Sequence, residues 1–260
     1  MKKLFFAVSL MALLFPLTAI AQSKFDGTWK IEKRQPSKKP YILMLQNGTY
    51  QCKTCIPPVD IPADGQDHKA AANPYADTQS AKVVNDRTIE RTSKKNGKTV
   101  LTQTYTVSAD GKTLTVDISD ATATNADPVI AKAIFIRLTA GPAGSHAISG
   151  SWQLVKDTQS ENGNTFTLKV EGDSVTMTTP TGQSYTAKLG GPDAPYKGDP
   201  GTTSVSVKRI SADMIEETDK RDGKAIFVSR MTVGADGKTM AIVNTGVESG
   251  RIFRDTAVKQ

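Results

Sequence analysis

The chain has 260 residues, a formal charge of +7 and only 6% aromatic residues. Its lysines are scattered among acids rather than gathered into basic blocks interleaved with aromatics, which argues against nucleic-acid recognition. One stretch, at the N-terminus, is apolar enough to resemble a membrane segment, so no membrane span is expected beyond it.

That first segment reads as an export signal. Lys2 and Lys3 precede an apolar run over residues 4–17, and Ala19-Ile20-Ala21 supplies a small-x-small cleavage site. The expected domains therefore begin with a signal peptide, 1–21, cleaved after Ala21, and the protein is expected to be periplasmic or secreted. Removal of the two lysines lowers the charge from +7 to +5. An uncleaved anchor is the alternative.

Downstream, apolar residues recur with period two almost everywhere. Thr113-Leu-Thr-Val116-Asp-Ile118 alternates in this way, as does Thr165-Phe166-Thr-Leu168-Lys-Val170. Successive strand side chains point to opposite faces, so each run buries one face and wets the other. Asn96-Gly97 and Asp222-Gly223 separate pairs of such runs. They tolerate the positive φ angles that tight antiparallel hairpins require. Residues 63–77 and 190–203 interrupt the alternation as long loops rich in Gly, Pro and Asp, and a further loop spans 119–129.

The chain also repeats itself. From Lys82 and Lys208 onward, 14 of 37 gapless positions are identical, including Asp110-Gly-Lys-Thr113 and Asp236-Gly-Lys-Thr239. Upstream, Gly27-Thr-Trp29 answers Gly150-Ser-Trp152. This period is far longer than a solenoid unit and indicates a duplicated domain. The expected fold is all-β, with two tandem antiparallel up-and-down barrels over 22–139 and 148–260 joined by a linker at 140–147. Eight or nine short strands are expected in the second copy, and barrel closure would remove exposed sheet edges.

The Gly-x-Trp pair opening each copy resembles the lipocalin-like branch of the calycin barrels. The longer pattern is similar to exported bacterial lipocalin-like proteins. The resemblance implies that each tryptophan covers the closed end of its barrel under a basic residue from the last strand. Arg137 would serve Trp29, and Arg254 would serve Trp152. Plain core packing is the simpler role for the same tryptophans.

Cys52-Lys-Thr-Cys55 admits a disulfide, a redox couple or part of a metal site. An oxidising compartment favours the disulfide. No metal or other cofactor is expected. Of the two histidines, His68 is the sole imidazole near the cysteines and His146 lies in the linker. Asp67 and Asp193 recur in the long loops, as turn caps or as a polar rim. Glu90 and Glu216 recur as exposed partners of lysines. Arg87, Glu90, Arg91 and Lys94 read as a solvated strand face.

No nucleophile elbow or phosphate-cradling loop is present, so an enzyme is not expected. The leading expectation is a non-catalytic module for a small apolar or amphiphilic ligand, because an eight-stranded barrel can just enclose one. The inward candidates are Phe166, Leu168, Val175, Met177, Tyr185, Phe227 and Met231. The alternative is a structural or protein-interaction role in the cell envelope, with side chains filling both barrels.

Overall fold

The computed structural model describes residues 23–123 and 126–260. The expected signal peptide lies outside them. Strands dominate: β1 (Gly27–Gln35), β2 (Tyr41–Gln46), β3 (Thr49–Cys52), β4 (Val59–Pro62), β5 (His68–Lys69), β6 (Thr78–Asn85), β7 (Thr88–Lys95), β8 (Lys98–Val107), β9 (Thr113–Asp120) and β10 (Val129–Ala140). The second series is β11 (Gly150–Gln159), β12 (Thr165–Glu171), β13 (Ser174–Thr178), β14 (Ser184–Lys188), β15 (Ala194–Pro195), β16 (Ser204–Arg209), β17 (Met214–Arg221), β18 (Lys224–Val233), β19 (Thr239–Gly246) and β20 (Ile252–Lys259). A single helical turn, α1 (Glu161–Asn164), sits between β11 and β12. The hairpin signals hold locally. Asn96, Gly97, Asp222 and Gly223 all have positive φ, at 51°, 75°, 50° and 77°.

These strands form two nearly closed, antiparallel, ten-stranded sheets. One runs β4-β3-β2-β11-β10-β9-β8-β7-β6-β5, the other β14-β13-β12-β1-β20-β19-β18-β17-β16-β15. The order departs from a simple tandem. Strand β1 lies between β12 and β20, with Trp29 opposite Phe166 and Lys259. Strand β11 lies between β2 and β10, with Trp152 opposite Tyr41 and Arg137. The first barrel is therefore the continuous segment 41–159, inserted between the first and second strands of the other. The second barrel is completed by β1 together with 165–259. Each half of the sequence gives its opening strand to the other barrel.

This corrects the boundaries expected from the repeat, 22–139 and 148–260. Residues 140–147 join no two domains. They form a turn inside the first barrel, where the Gly141 amide donates to the Ser149 carbonyl (3.0 Å) and the His146 amide to the Leu45 carbonyl (2.9 Å). The chain crosses between barrels at 36–40 and 160–164 instead. Arg251 fastens the first crossing, donating to the carbonyls of Lys39 and Pro40 and stacking 3.8 Å from the Tyr41 ring centroid. Arg34 fastens the second, donating to the Asn164 side chain (2.8 Å).

The two tryptophans are held alike. Trp29 and Trp152 are fully buried, and each indole N–H donates over 2.8 Å to the carbonyl four residues earlier, at Phe25 and Ile148. The Arg137 guanidinium lies 4.0 Å from the Trp152 ring, and the Lys259 ammonium lies 4.9 Å from the Trp29 ring. The expected pairings, Arg137 with Trp29 and Arg254 with Trp152, are thus replaced. Strand exchange moves the tryptophans. Register places Lys259, rather than the exposed Arg254, at the position equivalent to Arg137. Glycine is required ahead of Trp152: Gly150 has φ +134°, and a Cβ there would stand 2.2 Å from the Thr139 carbonyl oxygen.

Candidate functional site

The first barrel is hollow. A cavity of about 600 Å³ lies among its strands, a volume suited to a small ligand. The inward-facing positions of its strands make the walls. Leu43 lies on β2, Leu101 on β8, Leu114, Val116 and Ile118 on β9, and Phe135 on β10. Loops make the mouth. The segment after Cys55, the long loop carrying Tyr75, and the stretch around Thr122 meet Gln183, Gly198, Asp199 and Pro200 of the second barrel. Tyr75 packs hard against Gly201, where a Cβ would approach its hydroxyl to 1.9 Å.

One wall is polar. It is built from Gln79 on β6, Arg91 and Ser93 on β7, and Gln103 and Tyr105 on β8. Cross-strand register sets Gln79 opposite Ser93, and Arg91 opposite Gln103. Arg91 is only 8% exposed. Its terminal nitrogens donate to Gln79 Oε1 (3.2 Å) and Gln103 Oε1 (3.3 Å), and its guanidinium carbon lies 5.0 Å from the Tyr50 ring centroid. Arg91 Nε and the Tyr50 hydroxyl have no hydrogen-bond partner among the described residues. Burial works against the guanidinium charge, and the neighbouring phenols of Tyr50 and Tyr105 support it. Burial likewise pushes the Tyr50 phenol far above its ordinary value.

Arg91 is not on the solvated face expected for it. Period two places it in phase with buried Ile89 and Ser93, whereas Glu90 points outward. The signal was the spacing Ile89-x-Arg91-x-Ser93 itself, obscured because charge on an alternating strand normally marks the wet face.

The seven ligand candidates chosen from sequence line no part of this cavity. Leu168, Val175, Met177, Tyr185 and Met231 are buried in the core of the second barrel, Phe166 packs against that core, and Phe227 is half-buried on β18. The second barrel gathers its own core around Leu168, Val175, Met177, Ile215 and Met240. At the position equivalent to Arg91 it holds Glu217, and at that of Ser93 it holds Asp219. The Tyr185 hydroxyl donates to Glu217. Burial raises both carboxyls, and Asp219, also beside Glu217, is pushed up to about 9.

Cys52 and Cys55 lie at disulfide distance, with Cα atoms 5.5 Å apart, and both line the cavity. His68 hydrogen-bonds Asp64 (2.9 Å) and His146 meets the Asn85 carbonyl (2.7 Å), both outside the cavity lining. Asp67 and Asp193 pair with Lys94 (2.7 Å) and Lys220 (2.6 Å), so the recurring loop aspartates tie each long loop to its own sheet. Glu216 pairs with Arg230 across β17 and β18 (2.8 Å), an arginine where a lysine was expected. No helix among the described residues is long and apolar enough to cross a membrane. No protein-family model matches the chain, and no curated protein matches it in sequence.

Proposed function

We propose that this protein is an exported, non-catalytic, lipocalin-like module that holds one small amphiphilic ligand inside its first barrel. The observation that carries this reading is the cavity of about 600 Å³, whose wall divides almost evenly between apolar and polar surface, the polar part including one side along β6, β7 and β8. A ligand lying in it would bury apolar surface at about 25 cal/mol per Å² and meet hydrogen-bond donors along β7 and β8. Export rests on the Lys2-Lys3 segment, its apolar run and Ala19-Ile-Ala21. The lipocalin-like assignment rests on the paired Gly-x-Trp openings and the basic residue over each indole.

The second barrel is read as a scaffold whose interior is occupied by its own side chains, including Met177, Met231 and Met240. Methionine adapts its shape to irregular gaps, which suits it to that filling. That barrel also supplies part of the first barrel's mouth. A structural role, the alternative for the whole chain, thus applies to this half.

Titration with the neutral fluorophore N-phenyl-1-naphthylamine tests the reading. Saturable binding of one molecule per chain is expected, with displacement by medium-chain amphiphiles. Val116→Trp, which fills the cavity from β9, should abolish it. Absence of saturable binding, or binding indifferent to Val116→Trp in a folded variant, would overturn the reading.

A further inference from the structure

We infer that the ligand of the first barrel is an anion, an acyl chain ending in a carboxylate or a similar monoanionic head, seated head-inward against Arg91. This rests on the reading of the cavity as a ligand site. Arg91 is a charged side chain, 8% exposed, that lines the cavity. Everything holding it is neutral: two amide oxygens and the ring face of Tyr50. Its Nε–H remains unengaged among the described residues. A buried charge without a counter-charge is costly, and a partner that brings one negative charge relieves that cost. Guanidinium donors also bind carboxylates through short, charge-assisted hydrogen bonds.

Orientation follows from the carboxylates that line the same cavity. Asp120 accepts from the Thr122 amide (2.9 Å) and hydroxyl (2.6 Å). Asp199, on the second barrel's mouth loop, accepts from the Gly201 amide (2.7 Å) and the Thr202 hydroxyl (3.1 Å). Both are satisfied locally and neither is ion-paired to Arg91. Among the described charged residues that line the cavity, these two carboxylates disfavour an anionic head beside them and Arg91 is the one cation that would draw it inward. Nor does the fold dictate a cation at this position, since the second barrel places Glu217 there with a tyrosine hydroxyl as donor.

The test is calorimetric titration of the mature chain with decanoate, decanol and decylamine near neutral pH. Decanoate should bind at least about tenfold more tightly than decanol, the scale of one charge-assisted contact, and decylamine should bind most weakly. Arg91→Gln should bring decanoate down to the level of decanol, and Arg91→Lys should keep part of the preference. Equal affinity for acid and alcohol in the unaltered protein, or a preference that survives Arg91→Gln, would overturn the anion assignment and leave the cavity as a binding site. Failure of all three ligands would instead remove the reading on which the inference rests. Should Arg91→Gln not fold, the three ligands on the unaltered protein and on Arg91→Lys still decide the question.

Discussion

Where the first barrel holds Arg91 facing Gln103, the second holds Glu217 facing Ser229. Where the first has Ser93, Val59 and Ala81, the second has Asp219, Tyr185 and Val207. The identities that make the repeat visible lie elsewhere, in outward residues such as Glu90 and Glu216, in turns such as Asp110-Gly-Lys-Thr113, and at a few core positions such as Ile89 and Ile215. Duplication has kept the frame and changed the filling. One copy borders a cavity with a cation that has no counter-charge; the other holds there a pair of acids that burial keeps protonated to higher pH. A frame of hairpins depends on turn residues and alternation, which interior substitutions of similar polarity pattern do not disturb.

The two tryptophans give the largest expected effect and the sharpest test of which strand belongs to which barrel. Truncating a fully buried indole to alanine should cost about 3–5 kcal/mol, with up to about 2 kcal/mol more from the cation above its ring. Because the opening strands are exchanged, Trp152→Ala should loosen the first barrel and Trp29→Ala the second. Amide hydrogen exchange resolved by peptide reads this directly. Trp152→Ala should deprotect β8 and β9 while sparing β18 and β19, and Trp29→Ala the reverse. Deprotection following sequence halves would place each tryptophan in its own tandem barrel and remove the exchange.

Strands, turns and the all-β class were legible because period-two alternation and Asn-Gly or Asp-Gly pairs act locally. The buried tryptophans were legible too, since their motif repeats. Strand exchange was not. Gly27-Thr-Trp29 and Gly150-Ser-Trp152 offer nearly the same edge to either barrel, so local pattern cannot choose between them. The choice is made by what surrounds the crossings, including the carbonyls of Lys39 and Pro40 that Arg251 collects from a distance of more than 200 residues in the chain. The cavity was illegible for a different reason. Inward positions are identifiable from phase, but whether they meet across the interior depends on summed volume, and the apolar set read from sequence marked the second barrel, away from this cavity.

Proton storage distinguishes the barrels by pH. Glu217 and Asp219 have folded-state pKa values above their unfolded ones, Asp219 at about 9. Between about pH 4 and that value the folded state therefore holds protons that the unfolded state has released. The stability they contribute is complete below about pH 4 and is lost as pH rises toward 9, with a slope of at most about 1.4 kcal/mol per pH unit for one proton. Hydrogen exchange referenced to the intrinsic rate at each pH should show β17 and β18 losing protection between about pH 5 and 9. Asp219→Asn should flatten that loss. The equivalent first-barrel strands, β7 and β8, carry Arg91, which does not titrate in this range, and should lose no protection through it. Equal loss in both barrels would mean that the acid pair is not the cause.

The smallest effect is the most instructive about how the barrels cooperate. Asp67–Lys94 and Asp193–Lys220 are equivalent, partly exposed pairs, so each should contribute less than about 1 kcal/mol. Asp67→Ala and Asp193→Ala should accordingly be nearly indistinguishable in thermal stability. Their loops nonetheless converge on one place. Ala71, Asn73 and Tyr75 from the first, and Gly198, Asp199 and Pro200 from the second, all border the first barrel's cavity. Loosening either loop should therefore speed ligand escape by roughly threefold, since most changes in affinity at one site appear in the dissociation rate. Stopped-flow displacement of N-phenyl-1-naphthylamine measures it, and about 1 M salt should erase the difference by screening the pairs in the unaltered protein. An Asp67→Ala effect without an Asp193→Ala effect would confine gating to the first barrel's own loop. Equal effects would mean that a loop of the second barrel helps to set how long a ligand stays in the first.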